Sequence, residues 1–136
     1  MTGFVLDCSM TLAWYFSDER TAETLAIQAR LISERAVVPQ VWALEVASCL
    51  LGAEKRGKVR SEVKKEWLKL MSLMPLDVIT HSNEEIFDRV TVLAAKEGLT
   101  VYDAAYLDLA LKFRLPLATL DAVLITAAKR NGVSVL

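Results

Sequence analysis

The chain opens on Phe4-Val5-Leu6, an apolar run closed by Asp7 and Ser9, and this design of a buried strand handing over to a helix recurs down its length. Residues 36–38 run into Pro39, Leu76–Ile79 follows Pro75, residues 115–120 are bounded by Arg114 and Asp121, and residues 133–136 close the chain. Between these runs lie stretches of helical character: residues 19–35, 40–56 up to Gly57, a segment from Ser61 as cap to Pro75, 84–97 up to Gly98, 101–113 after Thr100, and 122–131 up to Gly132. Strands alternating with helices pair in parallel through right-handed crossovers, which predicts an α/β fold with a doubly wound sheet covered by helices on both faces. Strands that are apolar throughout fit a sheet buried on both sides. In such a sheet the ligand crevice lies beyond the carboxyl ends of the strands, where Asp7 and Asp121 stand.

Composition narrows the class. The 136 residues are 54% hydrophobic and 24% charged, with 5 Gly and 3 Pro, so the chain has material for one core and none of the signature of disorder. No linker or repeat breaks it, and a single domain over residues 1–136 is expected. The longest uncharged stretch, residues 8–17, is about half of what a membrane-spanning helix needs. Two cysteines make no disulfide framework, no basic segment precedes Arg20, and a cytoplasmic location is expected. Cys8 and Cys49 read as small buried thiols.

Glu45 is the sole charge within residues 41–51. A carboxylate buried among apolar residues costs several kcal/mol unless it has a partner, so Glu45 faces either a basic side chain or a cleft that holds a cation. Asp103 stands three residues after Thr100, the spacing of a capping box, which competes with a role in a site. Asp7 and Asp121 compete with ordinary N-caps in the same way. Taken together, four acids near one edge of a parallel sheet cannot sit side by side without cations. Oxygen ligands without His or Cys select Mg²⁺ or Mn²⁺, and carboxylate-held Mg²⁺ suits phosphoryl chemistry. Asp108 lies about 140° around its helix from Asp103, and a solvated pair with Lys112 is expected for it. His81, the one histidine, is expected at the surface.

At these residues the sequence resembles the PIN-domain family, in particular its short VapC-type toxins. The matching pieces are Val5-Leu6-Asp7-Cys8-Ser9, Pro39 to Val46 around Glu45, Gly98 to Tyr106 around Asp103, and Leu117-Ala118-Thr119-Leu120-Asp121 followed by Gly132-Val133. The resemblance implies a three-layer α/β/α sandwich with a mainly parallel sheet and a Mg²⁺-dependent endoribonuclease acting on tRNA, rRNA or mRNA. It further implies an acid quartet of Asp7, Glu45, Asp103 and Asp121, with Ser9 and Thr119 as hydroxyls beside the metal site, a homodimer, and a small antitoxin that crosses the cleft. Ser48 departs from the pattern, where relatives frequently carry Asn. The alternative is a module of the same fold that binds RNA or antitoxin without cutting.

A net charge of −1 does not point to nucleic acid, but its distribution is uneven. Residues 54–69 carry a net of +4, and setting the four site acids aside leaves +3 for the rest of the chain. Lys55, Arg56, Lys58 and Arg60 are therefore candidates for a wall that guides an RNA backbone. Trp14, Tyr15 and Phe16 cannot all face inward on one short helix, so at least one is expected at an interface.

Overall fold

Residues 2–136 are described by a computed structural model. Strands β1 (Phe4–Leu6), β2 (Ala36–Pro39), β3 (Leu76–Ile79) and β4 (Leu117–Ala118) form one parallel sheet in the order β3-β2-β1-β4. Helices cover the sheet in a three-layer α/β/α arrangement. They are α1 (Cys8–Ala13), α2 (Ala22–Ala29), α3 (Val41–Lys55), α4 (Ser61–Ser72), α5 (Asn83–Glu85), α6 (Thr91–Glu97), α7 (Val101–Phe113) and α8 (Ala122–Arg130). β1, β2 and β4 are wholly buried, as their unbroken apolar sequences require, whereas the edge strand β3 is only half-buried.

The strand order sets the position of the crevice. The chain steps from β1 to β2 to β3 on one side and then crosses back to lay β4 on the other side of β1. The topological switch therefore falls between β1 and β4, where the connections leave the two strand ends in opposite directions and open a gap. Register aligns Leu6 with Ala118, so the residues that follow, Asp7 and Thr119, emerge side by side at that gap. Gly3 leads into β1 at a φ of 119°, where a Cβ would collide with the Arg35 carbonyl oxygen, so the strand can enter here only through glycine.

Several elements are shorter than sequence pattern predicts. Residues 115–120 and 133–136 yield a two-residue strand and one bridge, Leu117 to Val135. Pro116 has no N–H to give a ladder, Arg114 and Gly132 turn the chain with φ of 54° and 73°, and Thr119 and Asp121 are engaged in side-chain bonds. The helix expected over 19–35 begins at Ala22, because Thr21 and Thr24 form a reciprocal capping box there, and ends in a 3₁₀ turn over Arg30–Ile32. Ser61 is the first residue of α4 rather than its cap; that place falls to Arg60, which makes no side-chain capping bond. Trp14, Tyr15 and Phe16 follow α1 on a last helical turn, in which the Phe16 N–H donates to the Leu12 carbonyl at 3.1 Å, and Tyr15 is only partly buried. Trp14 and Phe16 are buried, the Trp14 indole N–H donates to the Thr24 carbonyl at 2.7 Å, and Tyr15 and Phe16 both pack on Trp67.

The segment expected as one helix over 84–97 starts as read, with Ser82 and Glu85 in a capping box, but passes through a π-helical stretch at Ile86–Val90. That stretch carries Arg89, whose Nε and Nη2 donate to the two oxygens of Asp108 at 2.7 and 2.9 Å. His81 Nε2 meets Asp108 Oδ2 at 2.9 Å, so His81 is not a surface residue, being only 5% exposed. Asp108 in turn is not the solvated partner of Lys112: it is 3% exposed, and Lys112 reaches Glu85 instead at 3.5 Å. The reason is bidentate geometry, since a planar guanidinium matches a carboxylate better than an ammonium on the same helix can. Burial pulls the Asp108 carboxyl up, but the bonds from Arg89 and His81 outweigh it and hold the group below the usual carboxylate range. Glu85 is lowered to about 2 by the Ser82 backbone N–H and by Arg89. Asp108→Ala, which would strand His81 and Arg89, should lower stability by about 2–3 kcal/mol in urea unfolding. A loss below about 0.5 kcal/mol would remove this cluster as the anchor of the π-helical segment.

Candidate active site

Asp7 follows the last residue of β1 and caps α1. Its Oδ1 accepts from the Met10 N–H at 3.0 Å and from Ser9 Oγ at 2.8 Å, and its Oδ2 accepts from Thr119 Oγ1. The same two hydroxyl oxygens accept from the connection after β4, Ser9 Oγ from the Leu120 N–H at 2.9 Å and Thr119 Oγ1 from the Asp121 N–H at 3.0 Å. Each hydroxyl has one proton, and each proton goes to Asp7. Asp7 is thereby a pure acceptor, locked across the switch point by both strand ends.

Glu45 stands one turn inside α3 and accepts from Tyr106 Oη of α7 at 2.6 Å. Asp103 lies in the first turn of α7, where its backbone N–H donates to Thr100 Oγ1 at 3.1 Å. The reciprocal bond from the Thr100 backbone N–H to the Asp103 carboxylate does not form, although the Thr100 hydroxyl still favours the charged carboxylate. Asp121 caps α8 through Oδ1, which accepts from the Leu124 N–H at 3.0 Å, and its second oxygen is left over. The four sequence-predicted acids thus come from four elements that end or begin at one edge of the sheet.

Electrostatics ties them into one field. Burial raises the Asp7 carboxyl against its three hydrogen bonds, and the charge of Asp103 raises it further. Burial likewise raises Glu45, opposed by the Tyr106 bond and reinforced by Asp103 and Asp7. Asp103 is raised by burial and then by Asp121. Among the described residues none of the four forms an ion pair, whereas Asp108, Glu97 and Glu85 each have one. The cleft around Glu45, about 380 Å³, is lined by Val41, Leu44, Glu45, Ser48, Cys49 and Tyr102.

This donor set fits a hard divalent cation, since its charged groups are carboxylates without a basic partner among the described residues. Among the described residues no three acid, His or Cys side chains lie close enough to grip one ion together. Mg²⁺ keeps several waters and takes one or two carboxylates directly, so it does not require three such groups.

Sequence reasoning missed Tyr106, although its place three residues after Asp103 on α7 signals a shared helix face. It also missed Thr11 and Trp42: the Trp42 indole donates to Thr11 Oγ1 at 3.0 Å, and Thr11 donates to the Asp7 carbonyl at 2.8 Å, which pins α3 to the Asp7 turn. Cys8 and Cys49 are not both buried, since Cys49 is exposed. The basic segment is partly quenched. Lys58 sits 4.4 Å over the Phe16 ring with Asp18 and Glu19 each at 3.6 Å, and Arg60 lies 3.8 Å from Glu62, while Lys55 and Arg56 have no acid partner among the described residues.

The PIN domain family model matches residues 4–134 of this chain. The chain belongs to the PIN-domain family. A relative from Pyrobaculum aerophilum named Ribonuclease VapC3 is 34% identical over 119 residues, covering 86% of this chain and 88% of its own. The crystal structure of PAE2754 from the same organism superposes with a TM-score of 0.71 at 24% identity, over 93% of this chain and 84% of that one. A toxin-antitoxin complex from Klebsiella pneumoniae superposes with a TM-score of 0.56 at 22% identity, over 88% and 87%. Both structures share the fold of this PIN domain.

Carboxylates raised by burial and mutual repulsion make the PIN domain less stable when they ionise, and that loss is lifted as pH falls through their folded values. Glu85, Glu97, Glu54 and Asp108 are lowered and act in the opposite sense, their stabilisation vanishing as pH falls through theirs. In chelator, melting temperature should therefore rise on mild acidification from neutrality and fall on stronger acidification. Glu45→Gln, which keeps an acceptor for Tyr106, and Asp103→Asn should each raise the chelated melting temperature by about 2–4 °C at neutral pH, read by calorimetry. A fall in both variants would show that the acids are not under electrostatic strain.

Proposed function

We propose that this PIN domain is a Mg²⁺-dependent endoribonuclease, the toxin of a toxin–antitoxin pair that inhibits translation until an antitoxin neutralises it. The observation that carries the reading is the set of four carboxylates without basic partners at the switch point of a parallel sheet. The ribonuclease name of the Pyrobaculum relative supports it, and so does the resemblance of the motifs around the four acids.

Asp7 and Asp103 would hold the ion directly or through water, with Glu45 and Asp121 completing the charge; Mn²⁺ offers the same preference for oxygen. A bound Mg²⁺ supplies charge for a scissile phosphate and lowers the pKa of a water. Ser9, Thr119 and the Met10 N–H aim Asp7 and favour its ionised form against its burial, and Tyr106 keeps Glu45 from swinging away. Glu45 and Asp121 orient the attacking water, which forms a bond to phosphorus as the 3′ oxygen leaves, giving a 5′-phosphate and a 3′-hydroxyl. An acidic cleft of this kind favours an antitoxin segment that brings a basic side chain to it. The reading includes a homodimer; of the aromatic triplet, Trp14 and Phe16 belong to the core and the partly buried Tyr15 packs on Trp67.

Asp7→Asn should lower Mg²⁺-dependent cleavage of structured tRNA and rRNA fragments by at least about 100-fold, measured with purified protein. Unchanged cleavage would overturn the assignment. RNA bound by the wild type but never cut, with or without Mg²⁺, would instead favour the module that sequesters RNA or antitoxin.

Lys55 and Arg56 are placed to carry more of the RNA backbone than Lys58 and Arg60, whose charges are already shared with acids. Replacing Lys55 and Arg56 by Gln should reduce the slope of log Kd against log salt by about 1, and the Lys58 and Arg60 pair should reduce it less. Equal slopes in wild type and both double variants would reject the basic wall.

A further inference from the structure

The two cysteines are 41 positions apart in sequence, yet their sulfurs lie 3.9 Å from each other. Cys8 is the first residue of α1, next to Asp7, and is partly buried; Cys49 is exposed on α3, one turn beyond Glu45 and on the same face. Closing the gap to the ~2.05 Å of a disulfide asks each sulfur to move by about 1 Å, within the reach of side-chain rotation. Cys49 also lines the Glu45 cleft, so any group attached to its sulfur stands beside Leu44, Glu45 and Tyr102.

We propose that Cys8 and Cys49 are a reversible thiol–disulfide site, in which exposed Cys49 meets small disulfides and Cys8 resolves the adduct into an internal bridge between α1 and α3. The co-reactant is a low-molecular-weight disulfide such as glutathione disulfide. The Cys49 thiolate attacks one of its sulfurs, forming a mixed disulfide and releasing one thiolate. Cys8, whose thiol is pushed up by burial, by Cys49 and by the Glu45 and Asp7 charges, gives its proton to a released thiolate as it attacks the Cys49 sulfur, forming the Cys8–Cys49 bond and releasing the second thiolate. The two protein thiols are oxidised by two electrons, the small disulfide is reduced to two thiols, and the two protons go to the departing sulfurs. Proximity drives the second step, because the attacking sulfur is held in contact distance of its target. The bridge occupies less of the cleft than the adduct it replaces, so resolution by Cys8 keeps the space beside Glu45 open.

The test is incubation of the full chain with excess glutathione disulfide, followed by alkylation, intact mass measurement, a non-reducing peptide map and size exclusion. The wild type should lose the mass of two hydrogens, resist alkylation, and yield a joined Cys8–Cys49 peptide without a change of size, all reversed by reductant. C8S should stop with one glutathione on Cys49, and C49S should acquire neither adduct nor bridge. A wild type that retains glutathione, that links Cys49 to Cys49 of a second copy, or that keeps both thiols open to alkylation would overturn the proposal. None of these readouts depends on RNA cleavage.

Discussion

Asp7 cannot leave the space between β1 and β4. Its two oxygens take protons from Ser9, Thr119 and the Met10 amide, and the same hydroxyls accept amides of the chain leaving β4. One carboxylate therefore joins the start of α1, the end of β4 and the approach to α8. The parallel sheet places these ends side by side through the Leu6–Ala118 register, and the Trp42–Thr11 bond brings α3 against the same turn. Once Asp7 is fixed there, Glu45 must tolerate its charge.

The fold treats two groups of acids in opposite ways. Asp108 and Glu97 are buried and answered, Asp108 by Arg89 and His81 and Glu97 by Arg130 and Asn131, and both carboxyls sit below their ordinary range. Asp7, Glu45 and Asp103 are wholly or partly buried, unanswered by any cation among the described residues, and sit above it. Structural acids are neutralised where they stand, whereas an arrangement that keeps raised carboxylates at a crevice needs something from outside the chain. That difference is what separates an anchor from a site, and it accords with the stability that proteins give up at functional positions.

Much of this was legible because one-dimensional patterns map directly onto the elements that carry the acids. The run Phe4–Leu6 ending at Asp7, the lone charge of Glu45 in an apolar helix, and Asp121 after an apolar run each locate a carboxylate at a strand end or in a helix without knowledge of contacts. What stayed hidden depends on pairing across the fold. His81 and Asp108 read as surface residues because their common partner, Arg89, is brought to them by a π-helical segment that periodicity does not reveal. Tyr106 carried no sign of a role until α3 placed Glu45 opposite its hydroxyl. Sequence pattern did not show which of the three aromatics is enclosed: Trp14 and Phe16 are buried, whereas Tyr15 is partly exposed beside Trp67. The length of β4 was overread because Pro116 and the capping duties of Thr119 and Asp121 compete with strand pairing.

Four carboxylates that act on one another without a cation among the described residues should draw one from solution. The most direct measurement is titration of the chelated protein with Mn²⁺, followed by water-proton relaxation, for the wild type and for Asp103→Asn, whose carboxylate interacts with Asp7, Glu45 and Asp121 alike. Saturable Mn²⁺ binding that Mg²⁺ displaces, weakened at least about 10-fold in the variant, is the expected result. Equal binding in wild type and variant, or binding that Mg²⁺ does not displace, would contradict it.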